Sequence, residues 1–135
     1  MKVYIDADVV LDVLLGRSDF VNESASILSM SESRGIHGCT TTLTLANIYY
    51  ILQKINKRKS RRAISHLCDI LIILPVSETE ITQSLQSDFS DFEDGVQHFC
   101  ARNHKCDAII TRNQKDFKTS ELPVMLPREF LLRGK

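Results

Sequence analysis

Apolar and polar positions along the chain switch between a period of two and a period near 3.6, and each switch marks a new element. Val3-Tyr4-Ile5 is a short β-rich run that stops at Asp6. Residues 9–15 form a brief apolar stretch, read as a helical turn or two, with Gly16 able to supply a left-handed cap. Residues 22–34 have a helical pattern in which Ala25, Leu28 and Ser29 share one face and Gly35 closes the element. Residues 36–40 suit a second strand. Thr41 or Thr42 can then cap a long helix, whose Leu45, Ile48, Leu52 and Ile55 recur at helical spacing. The basic stretch over residues 54–62 is expected to join this helix to the next, which Ala63, Leu67, Ile70 and Leu71 mark. Ile72-Ile73-Leu74 runs into Pro75 and suits a strand leaving the core. Helical patterns follow over residues 78–87 and 92–103, the second with Phe92, Val96, Phe99 and Cys100 on one face. Ala108-Ile109-Ile110-Thr111 is the clearest buried strand, Leu122-Pro123-Val124 predicts a short last one, and residues 127–132 a final helical turn.

Alternating strands and helices predict a three-layer α/β/α fold with a mainly parallel central sheet. A length of 135 residues without an internal repeat suits a single domain over residues 1–135. In sheets of this kind ligands bind beyond the carboxyl ends of the strands. That rule makes certain acids informative. Asp6 and Asp8 follow the first strand, and Asn113 and Asp116 follow the strand at 108–111.

Composition changes this picture little. With 17 basic and 17 acidic residues the formal net charge is zero, so any nucleic-acid contact must come from local placement rather than overall charge. No apolar run approaches the ~20 residues needed to span a bilayer, and the acid within the first few residues argues against a signal peptide. A cytoplasmic protein with no membrane association is therefore expected. The four cysteines, Cys39, Cys68, Cys100 and Cys106, form no C-x-x-C pair. Cys68 and Cys100 are read as buried thiols, and the spacing of Cys100, His104 and Cys106 matches no common zinc pattern.

Three polar clusters carry candidate chemistry. In Asp6-Ala7-Asp8, the acid directly after the strand sits at the sheet edge and is assigned the functional role. Asp8 fits a helix cap or a supporting role. Asp88, Asp91, Glu93 and Asp94 form the second cluster. Ser90 and Glu93 have capping-box spacing, which accounts for part of it. It does not account for four acids within seven residues, whose mutual repulsion a bound cation would relieve. Asp91 and Asp94, three apart, can face the same side of a helical turn. The third cluster runs from Thr111 through Arg112 and Asn113 to Asp116; its residue types are common in turns, and its place after the strand is what raises it. Hard oxygen ligands of this kind suit Mg²⁺ or Mn²⁺. Such an ion activates water and stabilises charge on a phosphodiester. His37, His66, His98 and His104 are assigned surface or packing roles.

With these motifs in order, the sequence resembles the PIN-domain family, which includes the toxin nucleases of bacterial toxin–antitoxin pairs. The stretches that carry the likeness are Val3-Tyr4-Ile5-Asp6-Ala7-Asp8, Thr42-Leu43-Thr44-Leu45-Ala46-Asn47, Asp91-Phe92-Glu93-Asp94-Gly95 and Ile110-Thr111-Arg112-Asn113-Gln114-Lys115-Asp116. The stretch Val124-Met125-Leu126-Pro127-Arg128-Glu129-Phe130 also fits. The resemblance implies a metal-dependent ribonuclease acting on single-stranded RNA. Asp6, Asp91, Asp94 and Asp116 would be its catalytic acids, with Asn113 beside them as a ligand. Asp8, Asn47 and Thr111 would stand behind these. Asn47 and Ala7 depart from the family, which often has a Glu and a Thr there. Arg112, Lys59 and Arg61 are candidate RNA contacts. A homodimer and an antitoxin partner follow by the same analogy, with Tyr49 and Tyr50 as candidate interface residues.

Two enzymatic rivals and one binding reading stand beside this. Asp6-Ala7-Asp8-Val9-Val10 also matches the opening of haloacid-dehalogenase-like phosphatases, with Asp6 as nucleophile and Asp8 as general acid/base. A response-regulator receiver would need an acid at the end of the third strand, where Pro75-Val76-Ser77 offers none. A non-catalytic PIN-like domain that binds RNA or protein is the third.

Overall fold

The computed structural model describes residues 1–17 and 19–133. Five strands, β1 (Lys2–Ile5), β2 (His37–Thr41), β3 (Ile72–Leu74), β4 (Ala108–Ile110) and β5 (Val124–Met125), form one sheet in the order β3-β2-β1-β4-β5. Every neighbouring pair is parallel. The helices are α1 (Ala7–Leu14), α2 (Val21–Glu32), α3 (Thr42–Gln53), α4 (Lys57–Ile70), α5 (Glu78–Leu85), α6 (Phe92–Asn103) and α7 (Pro127–Leu132). A short 3-10 turn spans Gln114–Phe117.

The period-two alternation of β1 divides the core. Val3 and Ile5 pack with Ala108 and Ile110 against α1, α2, α3 and α4, while Tyr4 and Ile109 face α6 through Cys39, Ala101 and Phe117. All of these strand side chains are fully buried, so truncating Ile5 or Ile110 to alanine costs about 2–5 kcal/mol. Helices α5 and α6 approach closely because residue 95 is glycine: a Cβ there would overlap the Ser84 hydroxyl, which itself donates to the Phe92 carbonyl at 2.9 Å.

Several expectations are corrected. Helix α1 begins at Ala7, two residues earlier than the apolar run, because Asp6 caps it. Gly16 does adopt the left-handed conformation, at φ 63°. At the end of α2, however, it is Arg34 and not Gly35 that takes positive φ. The buried face of α2 is Ser24, Ile27, Leu28 and Ser31, since Ser24 and Ser31 have polar partners inside and Ser29 is exposed. Most of the basic stretch lies within α4 rather than in a connection, because Asn56 caps that helix by accepting from Lys59 N at 3.0 Å. Phe92 and Cys68 are exposed, and Tyr50 is 61% exposed and meets Tyr49 edge-on.

Candidate metal centre

The chain lays down β1, β2 and β3 toward one edge of the sheet and then returns to place β4 on the other side of β1. The direction of strand addition reverses between β1 and β4, and a crevice opens at such a switch point beyond the carboxyl ends. Ile5 and Ile110 pair there, so Asp6 and Thr111 are the first residues past the sheet on its two central strands. Asp6 N donates to the Ile110 carbonyl at 2.9 Å, and the Thr111 hydroxyl donates to Asp6 Oδ2 at 2.7 Å. Asp6 Oδ1 accepts from Ala7 N at 2.7 Å, which makes Asp6 the cap of α1. The cap role expected of Asp8 thus falls to Asp6. Asp8 instead lies in the first helical turn, where its Oδ2 accepts from Asn113 Nδ2 at 2.8 Å and lies 3.4 Å from the Thr111 hydroxyl. Asp8 Oδ1 is buried and has no hydrogen-bond partner.

The third wall is the start of α6. Asp91 caps the helix by accepting from Asp94 N at 3.0 Å, so the Ser90–Glu93 capping box does not form. Glu93 reaches across to α3 instead and accepts from Asn47 Nδ2 at 3.1 Å. Asp94 Oδ1 receives Gln97 Nε2 at 3.3 Å, and Gln97 Oε1 receives the Tyr4 hydroxyl at 2.9 Å. Thr44 lies 3.2 Å from that hydroxyl and is held in turn by Thr41, the cap of α3, at 2.9 Å. A buried line of Tyr4, Thr41, Thr44 and Gln97 therefore underlies the acids and fixes Asp94. The sequence reading missed Gln97. Its only signal was a polar residue one turn after Asp94 at a buried helix position.

Placement alone makes these acids hard to ionise. The Asp94 carboxyl is pushed up to about 7 by burial first, then by the charges of Asp91, Asp116, Asp8 and Glu93. Asp8 is raised to about 7, by burial and then by Asp6, with Arg112 opposing. Asp6 rises to about 6 through burial, eased by Thr111 and raised again by Asp94. Asp116 sits exposed in the 3-10 turn and acts on Asp94 through its charge. Among the described residues no lysine or arginine forms an ion pair with any of these acids.

The candidate RNA contacts are placed differently. Arg112 Nε donates to the buried Asp12 at 2.7 Å and its guanidinium lies over the Phe20 ring, 4.1 Å from the centroid. Its first commitment is thus an internal ion pair, a pairing of positions 100 apart that the sequence did not suggest. Lys59 lines a separate groove with Leu14, Leu15, Leu52, Ile55 and Ala63, and Arg61 is exposed on α4. His98 is packed between Phe89 and Phe99, and its Nε2 accepts from Glu121 N at 3.0 Å. Cys100 Sγ donates to the Pro75 carbonyl and His104 Nδ1 pairs with the Cys100 carbonyl, and among the described residues these two do not gather with Cys106 into a metal-holding group.

As they stand, no three acidic, imidazole or thiol side chains among the described residues are gathered tightly enough to ligate one ion. The donor set nonetheless fits a hard divalent cation. All its members are oxygens, one buried oxygen of Asp8 has no partner, and three carboxyls repel one another with no ion-paired cation among the described residues.

Comparison with known proteins finds the family and the fold. The family model of the PIN domain matches residues 2–115. The chain is 26% identical over 137 residues to Ribonuclease VapC1 of Aquifex aeolicus (strain VF5), covering 98% of this chain and 94% of that protein. A toxin-antitoxin complex from Klebsiella pneumoniae contains a chain of the same fold, with a TM-score of 0.68 at 21% identity over 93% of this chain and 97% of that one. DNA-bound VapBC from Salmonella typhimurium gives a TM-score of 0.70 at 12% identity over 92% of this chain and 96% of that one.

Proposed function

The chain belongs to the PIN-domain family, and from that premise we propose that it is a metal-dependent endoribonuclease acting on single-stranded RNA as the toxin of a toxin–antitoxin pair. The observation that carries the proposal is the meeting of Asp6, Asp8 and Asp94 at the switch point, all held above the usual carboxylate range with no cationic side chain paired to them among the described residues. Asp6 and Asp94 would hold Mg²⁺ or Mn²⁺, with Asp91, Asn113 and Asp116 at the rim. When bound, such an ion supplies an activated water and stabilises the charge that develops on the phosphodiester. Thr111 and Gln97 orient the two principal carboxylates, and Asp8 and Asn113 brace each other behind them. Arg112, Lys59 and Arg61 remain candidates for the phosphate backbone. Arg112, whose side chain is 20% exposed, is the one whose charge acts on Asp8.

A partner protein is supported by the outer face of α3, where Tyr50 and Ile51 are exposed, and by the turn after it, where the exposed Ile55 lines an apolar groove with Leu14, Leu15 and Leu52. Large exposed apolar side chains grouped in this way suit an interface, either with an antitoxin or with a second copy in a homodimer. Among the described residues no helix is long and apolar enough to cross a membrane, in keeping with action on cytoplasmic RNA.

The family match displaces the phosphatase alternative. The test is cleavage of a mixed-sequence labelled RNA with Mn²⁺, Mg²⁺ or EDTA, alongside Asp6→Asn, Asp94→Asn and a generic phosphatase substrate. Metal-dependent cutting that both substitutions abolish supports the proposal. Phosphate release that depends on Asp6, without RNA cutting, overturns it; silence in both assays points to a non-catalytic binder.

A further inference from the structure

A cavity of about 350 Å³ lies between the starts of α2 and α7, within the size range of sites that hold small ligands. Asp19, Phe20 and Glu23 line it from the start of α2, Leu126 and Arg128 from the start of α7, and Arg112 from the segment after β4. Arg112 ties this cavity to the acids through the chain itself. The residue before it, Thr111, holds Asp6 at 2.7 Å, and the residue after it, Asn113, holds Asp8 at 2.8 Å. Consecutive Cα atoms are about 3.8 Å apart, so the cavity wall adjoins the acids. An RNA strand whose phosphodiester meets Asp6 and Asp94 therefore has a nearby base within reach of the cavity.

Arg112 is held in place. Its Nε donates to the buried Asp12 at 2.7 Å, and its guanidinium lies over the Phe20 ring, 4.1 Å from the centroid. A fixed, planar guanidinium is a surface on which nucleobases stack. The other polar groups of the lining are of two kinds. Arg128 adds donors, while the half-buried Glu23 and the exposed Asp19 only accept, and none of the three forms an ion pair among the described residues. A basic peptide would meet Arg112 and Arg128 here, and an acidic one Asp19 and Glu23. A neutral planar base with donors on one edge and acceptors on another satisfies both kinds. Guanine sets its N1–H and 2-amino group side by side, where the two oxygens of one carboxylate can accept together, and keeps O6 and N7 as acceptors for an arginine. Adenine, cytosine and uracil each offer a carboxylate a single donor group on that edge.

We propose that this cavity is a guanine-binding subsite of the nuclease, with Arg112 as the platform under the base and Glu23 as the specificity-determining residue that accepts from N1–H and the 2-amino group. This rests on the ribonuclease reading given above, and it sets Arg112 against a base rather than a phosphate.

The measurement is the fluorescence anisotropy of two end-labelled single-stranded RNAs, oligouridines carrying one central guanosine or one central inosine, which lacks only the 2-amino group. EDTA keeps the full chain from cutting them, and melting temperatures are the folding control. The unsubstituted chain is expected to bind the guanosine RNA about tenfold more tightly than the inosine RNA, Glu23→Gln to bind the two alike, and Asp19→Asn to keep the preference. Equal binding of the two RNAs by the unsubstituted chain overturns the guanine subsite and is the result expected if the cavity serves a protein partner; metal-dependent cutting of mixed-sequence RNA would then leave the ribonuclease reading standing. A preference that survives in Glu23→Gln overturns the role of Glu23. Binding of neither RNA overturns the subsite, and if mixed-sequence RNA is also left uncut with Mn²⁺ or Mg²⁺, the ribonuclease reading falls with it.

Discussion

Asp8 and Asp12 lie one turn apart on α1, and their surroundings are opposite. Asp12 is fully buried, and its oxygens are taken by Arg17, Arg112 and Ser24. Asp8 has one oxygen braced by Asn113 and the other buried without a partner. The same side chain on the same helix is in one case a closed structural joint and in the other an open charge. Burial therefore does not separate structural from functional acids here. What separates them is whether the fold supplies the counter-charge itself.

The largest effect should come from opening the closed joint. Asp12→Ala leaves Arg112 partly buried without its partner and should cost about 3–5 kcal/mol, toward the lower end because Arg17 is 40% exposed. Urea denaturation reads this, and a variant as stable as the parent would contradict the structural assignment. Next, Asp6→Asn or Asp94→Asn should lower RNA cleavage roughly a hundred- to a thousandfold, the several kcal/mol that a catalytic metal provides. Neither should lower the melting temperature of the metal-free protein, which sets them apart from Asp12→Ala. Thr111→Val removes the hydroxyl between Asp6 and Asp8 and should cost about tenfold in metal affinity, read by calorimetric titration.

The smallest effect tests the open charge directly through pH. Asp8 has a folded pKa of about 7, above the ~3.9 of a free aspartate. The folded state therefore holds the proton more tightly than the unfolded chain. The stability this gives is fully present below about pH 4 and is lost as pH rises through 7. Metal-free protein should accordingly weaken between pH 5 and 8, and Asp8→Asn, which carries no charge to desolvate, should melt roughly 3–5 °C higher than the parent at pH 8. A variant that melts lower at pH 8 would show that the Asp8 carboxylate is compensated after all.

Much of the architecture was legible from local pattern. The bounds of α6 and α7, the strands near Val3, Ile72 and Ala108, and the placing of acids past the sheet edge all follow from periodicity and from where apolar runs stop. Asp6 and Thr111 stood out by their place at a strand end and Asp94 by the acid cluster that opens α6 and by the family resemblance, and the structure brings all three to one edge. What stayed hidden depends on partners distant in sequence. The Asp12–Arg112 pair spans 100 positions, Asn47–Glu93 spans 46, and Gln97 gains its role from Tyr4, 93 positions away. Local rules also misassigned two caps, since Asp6 and Asp91 outcompeted Asp8 and Ser90 for the free N–H groups of their helices. Single-sequence reasoning finds where an acid stands along an element; it does not find what faces it.

The most direct test of the open-charge account is a crystal soaked with Mn²⁺ and measured for anomalous scattering. The account predicts one strong peak at the switch point, about 2.1 Å from carboxylate oxygens of both Asp6 and Asp94, with the buried oxygen of Asp8 turned toward it. A peak elsewhere, or none at a Mn²⁺ concentration that supports RNA cleavage, would contradict it.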